Sequence, residues 1–514
     1  MKWLLPCFAL ASLFSCEKTS QRHAPIVDSL YYAEDHRPQF HFSPAKNWMN
    51  DPNGLVYYEG EYHLFYQYNP YAATWGHMSW GHAVSRDLLH WEHLPVALGE
   101  YADPVSGDST MIFSGTVVVD KNNTSGLCEG KDCMVAIYTS NVHRGNQGLA
   151  QHQSLAYSID KGRTWKRYHK NPILDIQRKD FRDPKVFWHD PTQQWIMAVV
   201  IPDLFKVQFY KSKNLLGWEL MSEFGGVGDT ARIWECPDIY ELPVGDQGGK
   251  TKWVLSLSGS HPQGPGFVGM QYFIGQFDGK TFTADDPKQS PLYIDYGKDF
   301  YAGIVFNNQP KDDKRTIMIG WVNNWTYANQ VPTSPWRGAM SIPRELSLKE
   351  TNDGIRLIQK PIRNIYTLRG REIIDLTEVM AKTVEFEVEI NPYEAREAGL
   401  KFLKNDQQET VIGYLPKSRE VFIDRTHAGD NSAKDFASRE RVKVNSVDGI
   451  IRLQIFIDNS IVEVFVNGGE QTLCDQVFPT DGNVTMERYS DTGLATFSMR
   501  AWEMKSVWRA PGRP

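Results

Sequence analysis

Basic runs are missing from this sequence: no Lys/Arg cluster or basic aromatic patch stands out, and 55 Lys+Arg are outnumbered by 62 Asp+Glu, for a formal net charge of −7. That charge balance argues against phosphate-backbone partners and excludes nucleic acid as a ligand class. Missing too, beyond the first sixteen residues, is any uninterrupted apolar stretch long enough to cross a bilayer. Cysteine is scarce, with six residues at 7, 16, 128, 133, 236 and 474, and no second Cys/His pair stands at ligand spacing to complete a zinc site. Neither a metal nor another cofactor is expected, and nothing in the sequence sets an oligomeric state.

What the chain does have, at its start, is MKWLLPCFALASLFSC: a basic Lys2, an apolar stretch from Trp3 to Phe14, and a small residue before Cys16. This reads as a secretory signal, too short for a transmembrane helix. Its ending, Leu13-Phe14-Ser15-Cys16, resembles a bacterial lipobox, in which cleavage falls before a cysteine that then carries lipid. Residues 1–15 are therefore expected to be a lipoprotein signal peptide and 16–37 an N-terminal tether. Cys16 is the expected lipidation site, which would hold the protein to a membrane at the cell surface or in the periplasm. Cys128 and Cys133, in CEGKDC, could pair across a hairpin, although spacing alone does not establish a bridge.

At 514 residues, 41% hydrophobic and 23% charged, the chain has room for two or three domains with sizeable cores. Its 12% aromatic content, with 16 Trp, suits an all-β core as well as sugar stacking. Residues 48–54, WMNDPNG, read locally as a turn, because Pro fixes φ, Asn tolerates the left-handed region and Gly supplies positive φ. Two later segments, RDPKVFWHDPTQQWIMAVVI (182–201) and ECPDIYELPVGDQGGKTKWVLSLS (235–258), share one layout with the first: acid, proline, β-rich strand, turn, second strand. FSGTVVVD (from 113) and FYAGIVFNN (from 300) keep the strand–turn–strand form without the acid-proline pair. Between them recur SRDLLHW (85–91), SIDKGRTW (158–165) and SKNLLGW (212–218), the punctuation of turns between outer strands. Five units at intervals of roughly 50–70 residues predict a five-bladed β-propeller over 38–345.

In that register Asp51, Asp183 and Glu235 occupy the same place, at or just before the innermost strands of blades one, three and four, and converge on one funnel. Turn-capping is a poor account of all three together, because repulsion and desolvation make crowded carboxylates costly to ionise. After a linker over 346–370, with room for a short helix, residues 371–514 alternate with period two, as in TVEFEVEI and IIRLQIFIDNSIVEVFVNG. This predicts a C-terminal β-sandwich. No acid cluster is evident there, and its expected role is structural.

At these residues the chain resembles glycoside hydrolase family 32, the fructan hydrolases that include invertases, inulinases and levanases. WMNDPNG, WGHMSWGHAVSRDLLHW (75–91), FSGT (113–116), RDPKV (182–186) and ECPD (235–238) match that family's motifs in order and spacing, and EVFVNGGE (463–470) extends the match into the sandwich. The resemblance implies the same propeller-plus-sandwich fold, with Asp51 as nucleophile, Glu235 as general acid/base and Asp183 as transition-state stabiliser. It further implies that Asn50, Gln67, Trp75, Ser114 and Arg182 line the terminal fructose pocket and that Trp48, Phe113 and Trp321 are its apolar walls. His77, His82 and His90 are expected to be core or turn residues. A retaining glycosidase of this kind sets its two carboxyl groups ~5–5.5 Å apart, one attacking the anomeric carbon while the other protonates the leaving oxygen, and the attacking group must be ionised. The stretch HPQGPGFVGMQYFIGQFDGKTF (261–282) resembles the loop and strand of polysaccharide-cleaving members, departing from them at Phe267 to Met270 on the leaving-group side.

The implied activity is hydrolysis of β-fructofuranosidic bonds in levan, inulin or sucrose, from the non-reducing end. The alternatives are an endo-levanase, a fructosyl transferase and, in another class, a non-catalytic glycan-binding propeller. A sialidase is disfavoured, because its arginine cluster and tyrosine nucleophile are not recognisable.

Overall fold

The computed structural model describes residues 31–508 except 246–248, 265, 311, 376–380 and 481–483. The expected signal peptide, most of the tether and Cys16 lie outside the described residues.

Five antiparallel sheets form the N-terminal propeller. Their innermost strands are Asn47–Tyr58, Ser109–Asp120, Arg182–His189, Glu235–Pro243 and Tyr301–Val305. Each of these packs against the next, and the fifth packs against the first, which closes the ring. A short strand, Trp336–Arg337, pairs in parallel with Asn47 and Trp48 and ties the end of the ring to its beginning. Strands buried on both faces read as continuous apolar runs, and QWIMAVVI in the third blade is of this kind, with seven consecutive buried residues. The cysteines of CEGKDC form a disulfide between Cys128 and Cys133.

Residues 48–54 are not a turn. They lie within one long strand whose pairing slips between Met49 and Pro52 and again between Asn53 and Val56. Proline and glycine are tolerated in sheets at such bulges, where the ladder is already broken. Gly54 sits at φ +54, and a Cβ there would come within 2.6 Å of Val117 Cγ2, so both backbone and packing require glycine. The same slip recurs at the start of every innermost strand: Ile112/Gly115, Arg182/Lys185, Glu235/Asp238 and Tyr301/Ile304.

The segment expected as a linker over 346–370 is mostly sheet. Arg344–Thr351 and Gly354–Pro361 pair as the two outer strands of the fifth blade. An Asn352-Asp353 turn joins them, with Gly354 at φ +101. Only the short 3-10 turn Arg363–Leu368 and a few flanking residues bridge to the C-terminal domain.

That domain is a β-sandwich of a six-stranded and a five-stranded antiparallel sheet closing on an apolar core that includes Val384, Phe386, Leu400, Ile423, Ile455 and Val464. It also holds buried acids that alternation alone did not reveal. Asp458 and Glu463 accept hydrogen bonds from His41 Nδ1 and Nε2 at 2.8 and 3.1 Å. Arg344, fully buried, spans Glu463 at 2.6 Å and Asp295 at 2.8 Å, while Arg425 meets Asp299 at 2.6 Å. Burial opposes a charge on His41, but the two carboxylates outweigh it and push the imidazole up to about 9. All but the Arg344–Asp295 pair cross the seam between propeller and sandwich. Removing one member would strand a buried charge, typically at about 3–5 kcal/mol.

Candidate active site

The bulges decide which side chains face the axis. In a regular strand neighbouring residues point to opposite faces; here Asn50 and Asp51, and likewise Arg182 and Asp183, line the same cavity, about 690 Å³ in volume, at one end of the propeller. Glu235 lines it too, as do Gln67, Trp75, Phe113 and Ser114. Trp48 and Trp321 do not. Both are fully buried, with Trp325 standing between them and the cavity at centroid distances of 6.0 and 4.9 Å. Their part is to back the wall: Trp48 Nε1 donates to Asn50 Oδ1 at 2.7 Å.

The three acids do not hold equivalent places in the repeat. Counted from the bulge proline, Asp51 precedes Pro52 and Asp183 precedes Pro184, but the residue before Pro237 is Cys236, and Glu235 stands one position earlier. The equivalent trio therefore meets at the bottom of the cavity. Cys236 Sγ lies 3.6 Å from Asp51 Oδ2 and 3.7 Å from Asp183 Oδ2, and its backbone N–H donates to Asp183 Oδ2 at 3.0 Å. Glu235 stands one step nearer the mouth. Arg182 Nη2 pairs with Glu235 Oε1 at 3.0 Å, and Tyr301 donates its hydroxyl to Glu235 Oε2 at 2.5 Å. The Glu235 side chain is 24% exposed, whereas Asp51 and Asp183 are 8% and 7% exposed.

Burial pushes Asp51 above its ordinary range, and Glu235 adds to the push. Two hydrogen bonds oppose it: Ser114 Oγ donates to Oδ2 at 2.7 Å, and Asn50 Nδ2 to Oδ1 at 3.0 Å. Asp183 is pushed up to about 7, chiefly by burial and then by Glu235, with Arg182 pulling the other way. Burial also holds the Cys236 thiol well above its usual value, with Asp183 and Asp51 adding to it, so it stays protonated beside two acids. Gln67 donates to Ile112 O at 3.0 Å. Of the histidines in the aromatic motif, His82 is buried against His63 and Phe65, and His77 and His90 pair with Glu100 and Asp87 at the surface.

Sequence reasoning passed over Cys236, Tyr301, Gln151 and Trp325. The first two carried a signal. Cys236 precedes the bulge proline, and Tyr301 opens the innermost strand of the blade that has no acid-proline pair. In the 261–282 stretch, Val268 reaches the cavity, while Phe267 carries the Lys298 ammonium over its ring at 4.0 Å.

Residues 41–361 match the N-terminal domain of glycosyl hydrolases family 32, and residues 356–503 match that family's C-terminal domain. The chain is 43% identical to a levanase of Bacillus subtilis, an alignment covering 96% of this chain and 74% of that protein. It is 42% identical to an extracellular exo-inulinase of Aspergillus awamori, over 94% of this chain and 97% of the other. A crystal structure of exo-inulinase from Aspergillus awamori superposes with a TM-score of 0.85 and 38% identity, covering 93% of this chain and all of that one. A β-fructofuranosidase from Schwanniomyces occidentalis complexed with fructosyl-erythritol superposes at 0.80 and 30%, covering 93% of this chain and 99% of the other.

The buried carboxylate of Asp183 gives a stability test independent of activity. A carboxyl raised in the fold contributes stability that is fully present below its unfolded value and is lost as pH rises through about 7. Asp183→Asn cannot titrate. Its Tm relative to the parent is therefore expected to climb by several degrees between about pH 4 and 7 and then level off, measured by calorimetry; a Tm difference flat across that range would contradict the assigned burial cost.

Proposed function

The chain belongs to glycosyl hydrolases family 32, and from that premise we propose an exported, exo-acting β-fructosidase in which Asp51 is the nucleophile, Glu235 the general acid/base and Asp183 the stabiliser of the charged transition state. As a glycoside hydrolase it acts on β-fructosides, with fructans of the levan or inulin type as the substrate class and sucrose as a smaller one. The observation that supports the reading is the layering of the carboxylates. Two sit at the closed bottom, where a terminal sugar ring would end, and the third lies one step toward the mouth, where the bond to the rest of the chain would pass. Cleavage from the chain end follows from a pocket closed beneath its nucleophile. A propeller that only bound glycan would have no use for three crowded acids.

In the first step an Asp51 carboxylate oxygen bonds to C2 of the terminal fructosyl unit as the C2–O bond breaks, and Glu235 passes its proton to the departing oxygen. Ser114 and Asn50 hold Asp51 in place and favour its ionised form. Asp183 faces the positive charge that develops on the ring, and its cost of burial is offset when that charge appears. In the second step water loses a proton to Glu235 and attacks C2, releasing fructose and restoring Asp51. Arg182 keeps Glu235 aimed at the bond and stays charged because Glu235 and Asp183 outweigh its own burial.

Asp51→Ala and Glu235→Ala are each expected to lower kcat on levan, inulin or sucrose by at least a thousandfold while leaving the fold intact by its far-UV spectrum. Product chromatography on the parent enzyme should show fructose alone from the start. A ladder of oligosaccharides would point to endo action, and near-normal turnover in either folded variant would remove that residue from its role.

The lipid anchor is part of the same proposal. Supported by the Leu13-Phe14-Ser15-Cys16 ending, it places the enzyme on a membrane through Cys16. A lipoprotein cysteine bearing several acyl chains holds firmly, where one chain would not. Cys16→Ala is expected to yield active enzyme in the soluble fraction; membrane association that survives the change would contradict the anchor.

A further inference from the structure

The second blade carries a hairpin that outgrows its counterparts. Its strands Cys133–Arg144 and Gln147–Ser158 have 12 residues each, against 8 and 7 for the equivalent strands of the third blade. The excess stands over the cavity: Asn141, His143, Gly145, Asn146, Gly148 and Gln151 all line it. Opposite Val142 and His143 the returning strand has an extra residue, Leu149, a bulge of the kind that bends a strand and re-aims its neighbours.

A chain of polar contacts leads from the acid/base to this tip. Arg182, paired with Glu235, donates through Nη1 to Gln151 Oε1 at 3.3 Å, and Gln151 Nε2 donates to Asn141 Oδ1 at 3.1 Å. Asn141 and His143 are two apart on a strand that pairs regularly with its inner neighbour, so they share a face. His143 is then clamped from outside its own hairpin. Glu100, from the segment after the first blade, places Oε1 3.6 Å from His143 Nε2 and accepts from His77 Nδ1 with Oε2 at 2.7 Å. Arg144, at the tip, pairs with Asp108 at 2.6 Å. The imidazole at position 143 is 12% exposed and lines the same cavity as Glu235, one too large for a single sugar ring.

We infer that the blade-two hairpin tip, with His143 at its centre and Glu100 as its positioning residue, is a leaving-group subsite that hydrogen-bonds the second fructosyl unit and sets a preference for oligofructans over small fructosides. This rests on Glu235 being the acid that protonates the leaving oxygen. The test compares kcat/KM on a β-linked fructotriose with that on methyl β-fructofuranoside, whose leaving group is methanol and reaches no subsite. His143→Ala is expected to lower the trisaccharide-to-methyl ratio roughly tenfold, the size of one hydrogen bond, mainly through KM. His143→Gln should recover part of the ratio, and Glu100→Gln should lower it by less. An unchanged ratio in His143→Ala and Glu100→Gln, or equal losses on both substrates, would overturn the subsite. Failure of the parent protein to cleave methyl β-fructofuranoside at all would instead strike the underlying enzymatic reading.

Discussion

Each innermost strand of the propeller breaks register near its start, and residues in or beside that break are the ones that reach the axis. A regular strand could offer the cavity only every second residue. The bulge lets two neighbours face it together, Asn50 with Asp51 and Arg182 with Asp183, and the adjoining proline costs nothing because its missing N–H falls where the ladder is already interrupted. Repeated around the ring, this local defect gathers Asp51, Asp183 and Cys236 at the axis, with Glu235 one step nearer the mouth. The same pairing continues inside the barrel, where Lys185 meets Asp238 at 3.0 Å three residues beyond Arg182 and Glu235. The two motifs are thus held in register by two ion pairs, one in the site and one beneath it.

That layering settles an electrostatic conflict. Deep burial alone would neutralise every carboxylate at the axis. Asp51 is answered by two donors, Asp183 by Arg182 and a backbone N–H, and the third equivalent place is taken by a thiol that burial keeps protonated. A third acid at the bottom would have no donor left. Setting it one residue earlier moves it to a partly open position where Arg182 and Tyr301 reach it. The division proposed between an attacking and a proton-transferring group rests on that one residue of offset within a repeat.

The repeat itself was legible in the sequence, because acid-proline pairs mark innermost strands and serine-tryptophan turns mark the joins between outer strands by residue type alone. The number of blades and the sandwich followed. The bulges were not legible: Asn-Asp-Pro-Asn-Gly has the same composition in a turn as in a twice-broken strand, and only pairing with Glu61–Asn69 distinguishes them. The resemblance puts Trp48 and Trp321 on the cavity wall, yet both are enclosed behind Trp325, which a motif match does not reveal. The outer strands of the fifth blade were read as a linker, although Asn352-Asp353-Gly354 between alternating runs is itself a hairpin signal. The buried seam acids escaped notice for a different reason. Asp458 and Glu463 find His41 and Arg344 more than a hundred residues away, and no local pattern records that.

The central claim is that Asp51, at the bottom of the cavity, bonds to the sugar, and the anomer released reports on it directly. Displacement by Asp51 and then by water inverts C2 twice, so the first fructose formed retains the β configuration. C2 of a ketose bears no hydrogen, so fresh product is followed by carbon NMR or polarimetry before mutarotation. Initial accumulation of β-fructose is the predicted result; initial accumulation of the α-anomer would mean a single displacement by water, with Asp51 acting as a base, and would contradict the account.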